Sequence, residues 1–480
     1  MYLGLDIGTS SVKAVVVDEK DRTLAEATAP LEVSRPRPLW AEQDPEDWWR
    51  AVSITLDALA AQAPTTMAAV KAIGLSGQML GVTLLDKADK AIRPALLWND
   101  GRASAECADL EQRFPDFANT VGCRAMPGFS APKLLWLARH EPDALARTRR
   151  VLLAKDYVRL CLTGEAASDR ADSSATLLMD TRAGDWHEAI AATCGIDRAR
   201  LPRLVESAEV AGRVRRDLAA RWHLPKATPV VGGGGDNMCA GIGVGAVRTG
   251  DAYIGLGTSG VYCLANDRFV PARGGGMHTH RHAVAGLYAQ HAVVLSAGES
   301  LVWAGRLLGA SDIGALIGEA EAANLSPEDT PVFTPYLAGE RTPHDDPRLT
   351  ATLSGLTHGT TAPAVVQAVM EGVALALADG HDALTGSGAT IGSVVLTGGG
   401  ARSHLWARLI AAAIDQPVAV QAGAQAGPAI GAARLARQGT GGPLIAAESA
   451  DSPIVAVEPS LREQLLRKRV VFRKHLGLSR

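Results

Sequence analysis

Two aspartates lie beside glycines at the ends of apolar stretches, where a carboxylate can take part in catalysis. Asp6 lies within the apolar run Leu3–Gly8, and Asp236 follows the four glycines Gly232–Gly235. Asp6 could cap the turn that follows it, or hold Mg²⁺ beside nucleotide phosphates. Asp236 could be the N-cap of a helix, or the base that removes a proton from a substrate hydroxyl. We favour the base, because four consecutive glycines are conformationally costly unless something approaches the backbone closely.

Two glycine turns of the same form follow short apolar strands in the two halves of the chain. Gly8-Thr9-Ser10 follows the first strand, and Gly257-Thr258-Ser259 recurs 249 residues later. Each turn leads into a β-branched run, so the pattern predicts two equivalent β-hairpins whose glycines let backbone N–H groups converge on a phosphate. A dinucleotide-binding fold needs a helix after its glycines, so the strand-like run 261–264 argues against it. A P-loop is excluded because no G-x-x-x-x-G-K-[ST] segment occurs.

The segments around these residues alternate between strand-like and helix-like patterns, as in an α/β protein. Met67–Gln78 and Ala91–Arg102 each run from a short apolar strand into a polar turn, which places Gln78, Asn99 and Asp100 at strand ends. In open α/β sheets, ligands bind at the carboxyl ends of the strands. The sequence therefore predicts ligand contacts at these two turns.

A third glycine-rich turn, Gly398–Ala401, follows the buried strand Val394–Leu396 and precedes Ser403, a predicted helix N-cap. These glycines could allow close packing of a helix on a sheet, or form a flat platform for an adenine ring. Together with the repeated hairpin, the pattern predicts a pseudo-duplicated α/β protein with two domains, residues 1–246 and 247–480.

Two further polar segments each allow two interpretations. His278, His280 and His282 alternate along the sequence, which would place three imidazoles on one face of a strand, as in a metal site. No nearby carboxylate or cysteine completes a set of metal ligands. We therefore expect a polar strand or loop there. Pro335–Pro347 is rich in turn formers and charges. It could be a surface loop, or the glutamate and arginine at 340–341 could order a substrate cleft.

The composition narrows the class of partner. Of 480 residues, 47% are apolar and 21% charged, and the formal net charge is −3, which gives no general attraction to nucleic acid or to an anionic membrane. The six cysteines are scattered without C-x-x-C spacing, so neither a disulfide framework nor a structural zinc site is expected. Asp6 comes too early for the apolar region of a signal peptide. We expect a cytoplasmic protein with a small-molecule partner, and a homodimer is left open.

Taken in order, these motifs resemble those of the FGGY carbohydrate kinases, which belong to the superfamily of sugar kinases, Hsp70 and actin. The resemblance covers residues 1–436 and rests on five motifs: Asp6-x-Gly8-Thr9-Ser10, Gly233–Asn237, Gly257-Thr258-Ser259, Pro335–Pro343 and Gly398–Ser403. Within the family, the kinases of D-xylulose are the most similar, through the segments Val33–Trp49, Arg93–Arg102, Met126–Pro142 and Lys155–Asp169. The resemblance implies an α/β fold of two ribonuclease-H-like domains around an interdomain ATP cleft.

The resemblance also implies a role for each matching residue. Asp236 would be the catalytic base, and Asp6 a catalytic residue that supports Mg²⁺, with ATP as the phosphoryl donor. The residues implied to contact ATP are Gly8, Thr9, Ser10, Gly257, Thr258, Gly298, Gly399, Gly400 and Ala401. The residues implied to line the sugar pocket are Gln78, Met79, Leu80, Trp98, Asp100, Asp236 and Asn237. Phosphoryl transfer needs positioning and charge stabilisation more than covalent catalysis, so such a set suffices.

One residue departs from the family pattern. Kinases of D-xylulose typically read Gln-Met-His-Gly where this chain reads Gln78-Met79-Leu80-Gly81, and a leucine side chain neither donates nor accepts a hydrogen bond. The expected reaction is ATP-dependent phosphorylation of D-xylulose to D-xylulose 5-phosphate. The alternative acceptor is another short ketose or polyol, because an apolar wall discriminates weakly. In a different class, the chain could be a non-kinase ATPase switch of the same superfamily, although it has no room for a peptide-binding appendage.

Overall fold

The computed structural model describes residues 1–310, 312–421, 427–445 and 452–475. The strands of the first half are β1 (Tyr2–Ile7), β2 (Ser11–Val17), β3 (Thr23–Pro30), β4 (Glu42–Gln43), β5 (Ala72–Gly77), β6 (Thr83–Leu85), β7 (Ala95–Leu96), β8 (Arg150–Leu152), β9 (Ala167–Asp169), β10 (Met179–Asp180), β11 (Asp185–Trp186), β12 (Arg203–Val205), β13 (Val210–Arg213), β14 (Pro229–Val231) and β15 (Gly234–Gly235). Its helices are α1 (Pro45–Gln62), α2 (Pro64–Ala68), α3 (Ser104–Arg113), α4 (Phe117–Val121), α5 (Ser130–His140), α6 (Pro142–Arg147), α7 (Ala154–Thr163), α8 (Arg170–Ser174), α9 (Glu188–Thr193), α10 (Arg216–Arg221) and α11 (Asp236–Val244).

The second half has fewer and longer elements. Its strands are β16 (Asp251–Leu256), β17 (Gly260–Asn266), β18 (His278–Arg281), β19 (Tyr288–Val294), β20 (Val332–Thr334), β21 (Thr352–Ser354), β22 (Ser393–Thr397), β23 (Val418–Gln421) and β24 (Ile454–Val455). Its helices are α12 (Gly298–Leu307), α13 (Ile313–Ala323), α14 (Ala362–Gly386), α15 (His404–Ile414), α16 (Gly427–Gly439) and α17 (Pro459–Lys474). Short 3₁₀ helices span Arg198–Arg200, Pro327–Asp329 and Gly399–Arg402.

Each half of the chain builds one large mixed sheet. The first has the strand order β13-β14-β5-β1-β2-β3, with β15 also pairing with β5, and the second has the order β18-β19-β17-β16-β22-β23-β24. In both sheets, the first strand of a hairpin pairs with its antiparallel partner on one side and with a parallel strand on the other. β1 lies between β2 and β5, and β16 lies between β17 and β22. The predicted duplication of the hairpin and the predicted α/β class are therefore confirmed.

The first sheet is covered on both faces, and one of its covering helices comes from the second half of the chain. Helix α16 packs against β1, β5 and α11. A Cβ atom on Gly4 or Gly74 would lie 1.8 Å from the carbonyl oxygen of Ala429 or Ala432, respectively. Only glycine at these two positions lets the α16 backbone approach the sheet so closely.

Helix α14 forms the centre of the second core. It packs against β19, β20 and α15, and nearly all of its residues from Ala364 to Gly380 are buried. By length and composition it is also long and apolar enough to cross a membrane, but 89% of the apolar window lies inside the protein. No other helix within the described residues passes that test.

Candidate active site

Two cavities lie on either side of the turn between β16 and β17. The larger, of about 540 Å³, is lined by Leu256, Gly257, Thr258, Gly298, Glu299, Leu301, Val302, Ile313, Gly314, Ile317, Gly318, Glu321, Gly399, Gly400, Arg402, Ser403 and Trp406. The smaller, of about 200 Å³, is lined by Met79, Leu80, Trp98, Phe129, Asp236, Asn237, Ser259, Val261, His278, His280, His291, Val293 and Arg341. Gly257 and Thr258 face one cavity and Ser259 the other, so this glycine turn is where two ligands would meet.

Asp236 is the first residue of α11, and it faces the smaller cavity. Its Oδ1 accepts a hydrogen bond from the backbone N–H of Asn237 at 2.7 Å, while Gly235 occupies the N-cap position. The structure therefore does not support the interpretation of Asp236 as the N-cap. Burial, and secondarily the negative charge of Asp6, raise the pKa of Asp236 to about 7. A carboxylate with that pKa can both accept and release a proton near neutral pH.

Asp6 lies at the end of β1, close enough to Asp236 for the two carboxylates to repel each other. Its Oδ1 accepts a hydrogen bond from the Ser76 hydroxyl at 2.8 Å, and no hydrogen bond to Oδ2 is found in the described part of the chain. Asp6 thus does not cap the following turn. Burial raises its pKa to about 6, although Ser76 and Lys13 oppose that shift. A nearby cation would relieve the repulsion between the two carboxylates.

The turn of the first hairpin is tied to the wall of the smaller cavity through Thr9. Its hydroxyl accepts a hydrogen bond from Trp98 Nε1 at 3.0 Å and donates one to Gln78 Oε1 at 3.2 Å. The Gln78 amide also donates to Gln43 Oε1 at 2.8 Å, and Gln43 Nε2 donates to the Thr9 carbonyl at 2.7 Å. Trp98 faces the cavity, whereas Gln78 lies behind it and holds the hairpin.

The turn at Leu80 also lines the smaller cavity, and hydrogen bonds from residues behind the cavity wall hold it in place. Leu80 has φ +67°, and its carbonyl accepts hydrogen bonds from Ser130 Oγ at 2.9 Å and from Lys133 Nζ at 2.7 Å. Lys133 also donates to the Leu97 carbonyl at 2.8 Å, which joins the Leu80 turn to the segment that carries Trp98. Burial lowers the pKa of Lys133 to about 7. Sequence reasoning missed this lysine, because its role depends on carbonyls far away in the chain.

Asp100 lies behind the cavity wall, as Gln78 does. It is fully buried, and its carboxylate accepts hydrogen bonds from the Ala41 N–H at 2.7 Å and from the Arg102 guanidinium at 2.7 and 2.8 Å. The smaller cavity therefore brings together five of the residues predicted for the sugar pocket. They are Met79, Leu80, Trp98, Asp236 and Asn237.

The larger cavity brings together most of the residues predicted to contact ATP in the second half. Gly257, Thr258, Gly298, Gly399 and Gly400 line it, while Ala401 is buried beside them. The N–H of Gly298, at the start of α12, donates to the Gly257 carbonyl at 2.9 Å, so the helix N-terminus lies against the glycine turn. Helix N-termini favour anions such as phosphates.

Helix α13 supplies part of the larger cavity that sequence reasoning missed. Ile313, Ile317 and Glu321 line it, with Glu321 accepting hydrogen bonds from Ser403 Oγ at 2.7 Å and from the Leu405 N–H at 3.1 Å. Ser403 is the N-cap of α15, as the sequence predicts. Apolar residues recur every three to four positions over 313–321, which could have indicated a helix but not the cavity that the helix faces.

Three imidazoles form one side of the smaller cavity, and the sequence analysis did not place them there. His278 and His280 lie on β18 and His291 on the neighbouring β19, and all three are buried. The expectation of a polar strand or loop there is confirmed, since β18 spans His278–Arg281 and His282 follows it. No group of three or more histidine, cysteine, aspartate or glutamate side chains with metal-binding geometry is found in the part of the chain that the structure describes. The alternation of His278 and His280 could have indicated that two imidazoles share one face of a strand. The third, His291, lies on another strand, which the alternation does not indicate.

The segment 335–347 borders the cleft. Glu340 Oε1 accepts hydrogen bonds from the N–H groups of Leu295 at 3.0 Å and Arg341 at 2.7 Å, and Arg341 lines the smaller cavity. Glu340 is buried, and burial raises its pKa to about 7. Of the two interpretations of this segment, the ordering of a cleft is the one that the structure supports.

Comparison with protein families decides between the classes that this arrangement allows. The model of the FGGY family of carbohydrate kinases, N-terminal domain, matches residues 1–243, and that of the C-terminal domain matches residues 252–438. The chain belongs to the FGGY family of carbohydrate kinases. This FGGY kinase thus has the two-domain fold of sugar kinases. Its smaller cavity is lined by residues of both family domains, and its larger cavity by residues of the C-terminal domain.

Individual relatives agree with the family assignment. The FGGY kinase is 44% identical over 438 residues to a xylulose kinase of Escherichia coli, with 91% of this chain and 90% of the relative covered. It superposes on a crystal structure of a "xyloylose kinase" from Brucella ovis with a TM-score of 0.95 and 41% identity, covering 99% and 98% of the two chains. For a xylulose kinase from Rhodospirillum rubrum the TM-score is 0.91 at 28% identity, with both chains fully covered.

Proposed function

We propose that this FGGY kinase transfers the γ-phosphoryl group of ATP to a hydroxyl of D-xylulose. The observation that carries the proposal is the glycine turn Gly257–Ser259, which separates the larger cavity from the smaller one that contains Asp236. The larger cavity suits a nucleoside and the smaller one a short sugar. The relatives named as xylulose kinases support the choice of acceptor.

In the proposed reaction, Asp236 removes the proton from the acceptor hydroxyl as the hydroxyl oxygen attacks the γ-phosphorus of ATP. The bond between the γ-phosphorus and the bridging oxygen breaks, ADP leaves, and the proton remains on the Asp236 carboxyl until it is released to solvent. The turns Gly8–Ser10 and Gly257–Thr258 would hold the phosphates through the backbone N–H groups of Thr9, Ser10 and Thr258. The N–H groups of Gly8 and Gly257 donate to the carbonyls of Ser11 and Ser259 and close the two turns. Gln78 and Asp100, which lie behind the wall, would act by positioning Thr9 and the Trp98 segment.

The residues at Asp6 fit a magnesium ion. Mg²⁺ prefers oxygen ligands and is commonly held by one or two carboxylates together with substrate phosphates and water. Asp6 offers Oδ2, which has no hydrogen-bond partner among the described residues, beside a second carboxylate whose charge it repels. Mg²⁺, when bound, supplies charge neutralisation for the phosphates. Asp6 would hold it directly or through water.

One finer assignment, the cellular compartment, belongs to the proposal. All six cysteines are free, which supports a reducing compartment and hence the cytoplasm.

A coupled assay of ADP release over ketopentoses, deoxyketoses and polyols tests the proposal. We expect D-xylulose to give the highest kcat/KM and the variant Leu80→His to keep that order. If another sugar gives the highest value, and Leu80→His shifts the preference towards D-xylulose, then the proposed acceptor is wrong and Leu80 sets the specificity. If no sugar raises ADP release above the rate with water, the chain is not a small-molecule kinase.

A further inference from the structure

The smaller cavity has one polar side that the reaction as described leaves unused. His278, His280 and His291 converge there, with ring centroids 5.8 to 6.4 Å apart. The exposed fractions of these three side chains are 6%, 2% and 3%, so bulk water cannot freely form hydrogen bonds with their ring nitrogens. Both nitrogens of His291, Nδ1 of His280 and Nε2 of His278 have no hydrogen-bond partner among the described residues.

Unpaired buried polar atoms are costly, and they are rare unless a ligand or water satisfies them. Burial lowers the pKa of all three histidines, that of His291 to about 4, so the rings are neutral near pH 7. A neutral imidazole presents one N–H donor and one acceptor nitrogen. A group of three such rings matches a ligand that itself has adjacent donors and acceptors, as the hydroxyl and carbonyl groups of a ketose do.

The strand register gives the position of these rings relative to the phosphate turn. Val293 pairs with Val261 next to the turn, while His291 pairs with Cys263, two residues further along the strands. His278 pairs with His291 on the other side. Two residues of extended strand span about 7 Å. The backbones of His278 and His291 therefore lie about 7 Å further from the turn than the Val261–Val293 pair does.

The Leu80 turn gives the same cavity no polar side chain. Leu80 lines the cavity with an apolar side chain, and its carbonyl already accepts hydrogen bonds from Ser130 and Lys133. A five-carbon ketose whose phosphoryl-accepting hydroxyl lies at the turn would direct its other end towards the histidines.

We propose that His278, His280 and His291 bind the hydroxymethyl ketone end of the acceptor sugar, and that they supply the polar discrimination that Leu80 does not. This inference rests on the proposed kinase function. It makes the second half of the chain, and not only the first, a determinant of the acceptor.

The test compares D-xylulose with 1-deoxy-D-xylulose, which lacks only the C1 hydroxyl, in the wild type and in His291→Phe and His280→Phe. We expect each substitution to raise the KM for D-xylulose by about tenfold or more per lost hydrogen bond, with a much smaller change for the deoxy sugar and for ATP. The matched control is His282→Phe. His282 is equally buried in the same segment, but it does not line the cavity, and its Nδ1 already accepts the Val284 N–H at 3.0 Å. It should leave the ratio of the two sugars unchanged.

Equal rises in KM for D-xylulose and for the deoxy sugar would overturn the inference. An unchanged ratio of these two KM values in both histidine variants would do the same. A second measurement on the wild type covers variants that fail to fold. In protein with ¹⁵N-labelled histidines, D-xylulose should shift the ring nitrogen signals of the three cavity histidines and leave those of His282 and His381 in place. No shift at saturating sugar would also overturn the inference. If the wild type phosphorylates a different ketose, the proposed acceptor fails, and the same titration with that ketose still decides the role of the histidines.

Discussion

Asp236 combines the proposed role of catalytic base with a cost to stability. Its pKa in the folded protein is about 7, well above its ordinary value of 3.8, because it is buried beside Asp6. The folded protein therefore binds a proton more tightly than the unfolded chain does. This stabilisation is complete below pH 4 and is lost as the pH rises through 7, by at most about 4 kcal/mol. At pH 8 the ionised carboxylate destabilises the folded protein.

The variant Asp236→Asn should therefore lose activity but gain thermal stability at pH 8, in the absence of metal and nucleotide. The amide oxygen can still accept the Asn237 N–H, so the start of α11 is preserved. The gain in Tm should shrink as the pH is lowered to 5, where the wild-type carboxyl is protonated. Melting curves at both pH values check this, and a gain that is larger at pH 5 would show that the sign of the shift is wrong.

Lys133 fixes the Leu80 turn and the Trp98 segment to each other. The change Lys133→Met removes the donor to the carbonyls of Leu80 and Leu97 while keeping much of the side-chain volume. We expect a higher KM for the sugar, little change in the KM for ATP, and a loss of about 1–3 kcal/mol of stability from the two lost hydrogen bonds. Steady-state kinetics and chemical denaturation measure these effects. An equal rise in both KM values would mean that Lys133 supports the fold as a whole.

Some of the site could be predicted from residues and their spacing, and some could not. Asp6, Asp236 and the glycine turns are local features, because strand, turn and following element lie next to one another in the sequence. The histidine wall and Lys133 could not be predicted. Their partners come from strands and loops that only the tertiary fold brings together.

At the scale of elements, α12 contacts the glycine turn beside the larger cavity, where the nucleotide is proposed to bind. A Cβ atom on Gly298 would lie 2.5 Å from the Gly257 carbonyl oxygen, so Gly298→Ala must displace the turn or the helix. We expect at least a tenfold rise in the KM for ATP with a smaller change for the sugar. The control is Gly386→Ala at the end of α14, where a Cβ atom meets nothing within 4 Å. Equal behaviour of the two variants in ATP kinetics would contradict the role given to the turn.

The elements differ in how far the sequence predicts them. The two hairpins and the strand that precedes Gly232 are confirmed, because apolar runs, glycines and β-branched residues agree locally. The partner of α16 could not be predicted, since its small residues suit close packing against many surfaces. In the structure this helix lies on the first sheet, against Gly4 and Gly74, although in sequence it lies between β23 and β24 of the second sheet.

At the scale of the whole molecule, each half contributes one wall of the smaller cavity. Met79 and Trp98 come from the first half, and His291 and Val293 from the second. Water can replace the sugar as phosphoryl acceptor, so a cleft that closes only around its proper substrate limits wasteful hydrolysis. We expect the radius of gyration from small-angle scattering to decrease when D-xylulose and a non-hydrolysable ATP analogue are both present. An unchanged value with both ligands bound would contradict domain closure.

The central claim is that Asp236 directs the γ-phosphoryl group of ATP to the sugar in the cavity beside the second hairpin. The most direct measurement is a single-turnover experiment with γ-labelled ATP, Mg²⁺ and D-xylulose, quenched over time, for the wild type and for Asp236→Asn. We predict that the wild type places the label on the sugar. The variant should bind both substrates but transfer the label at least about a thousandfold more slowly. Label released only as inorganic phosphate by the wild type, or unimpaired transfer by the variant, would contradict it.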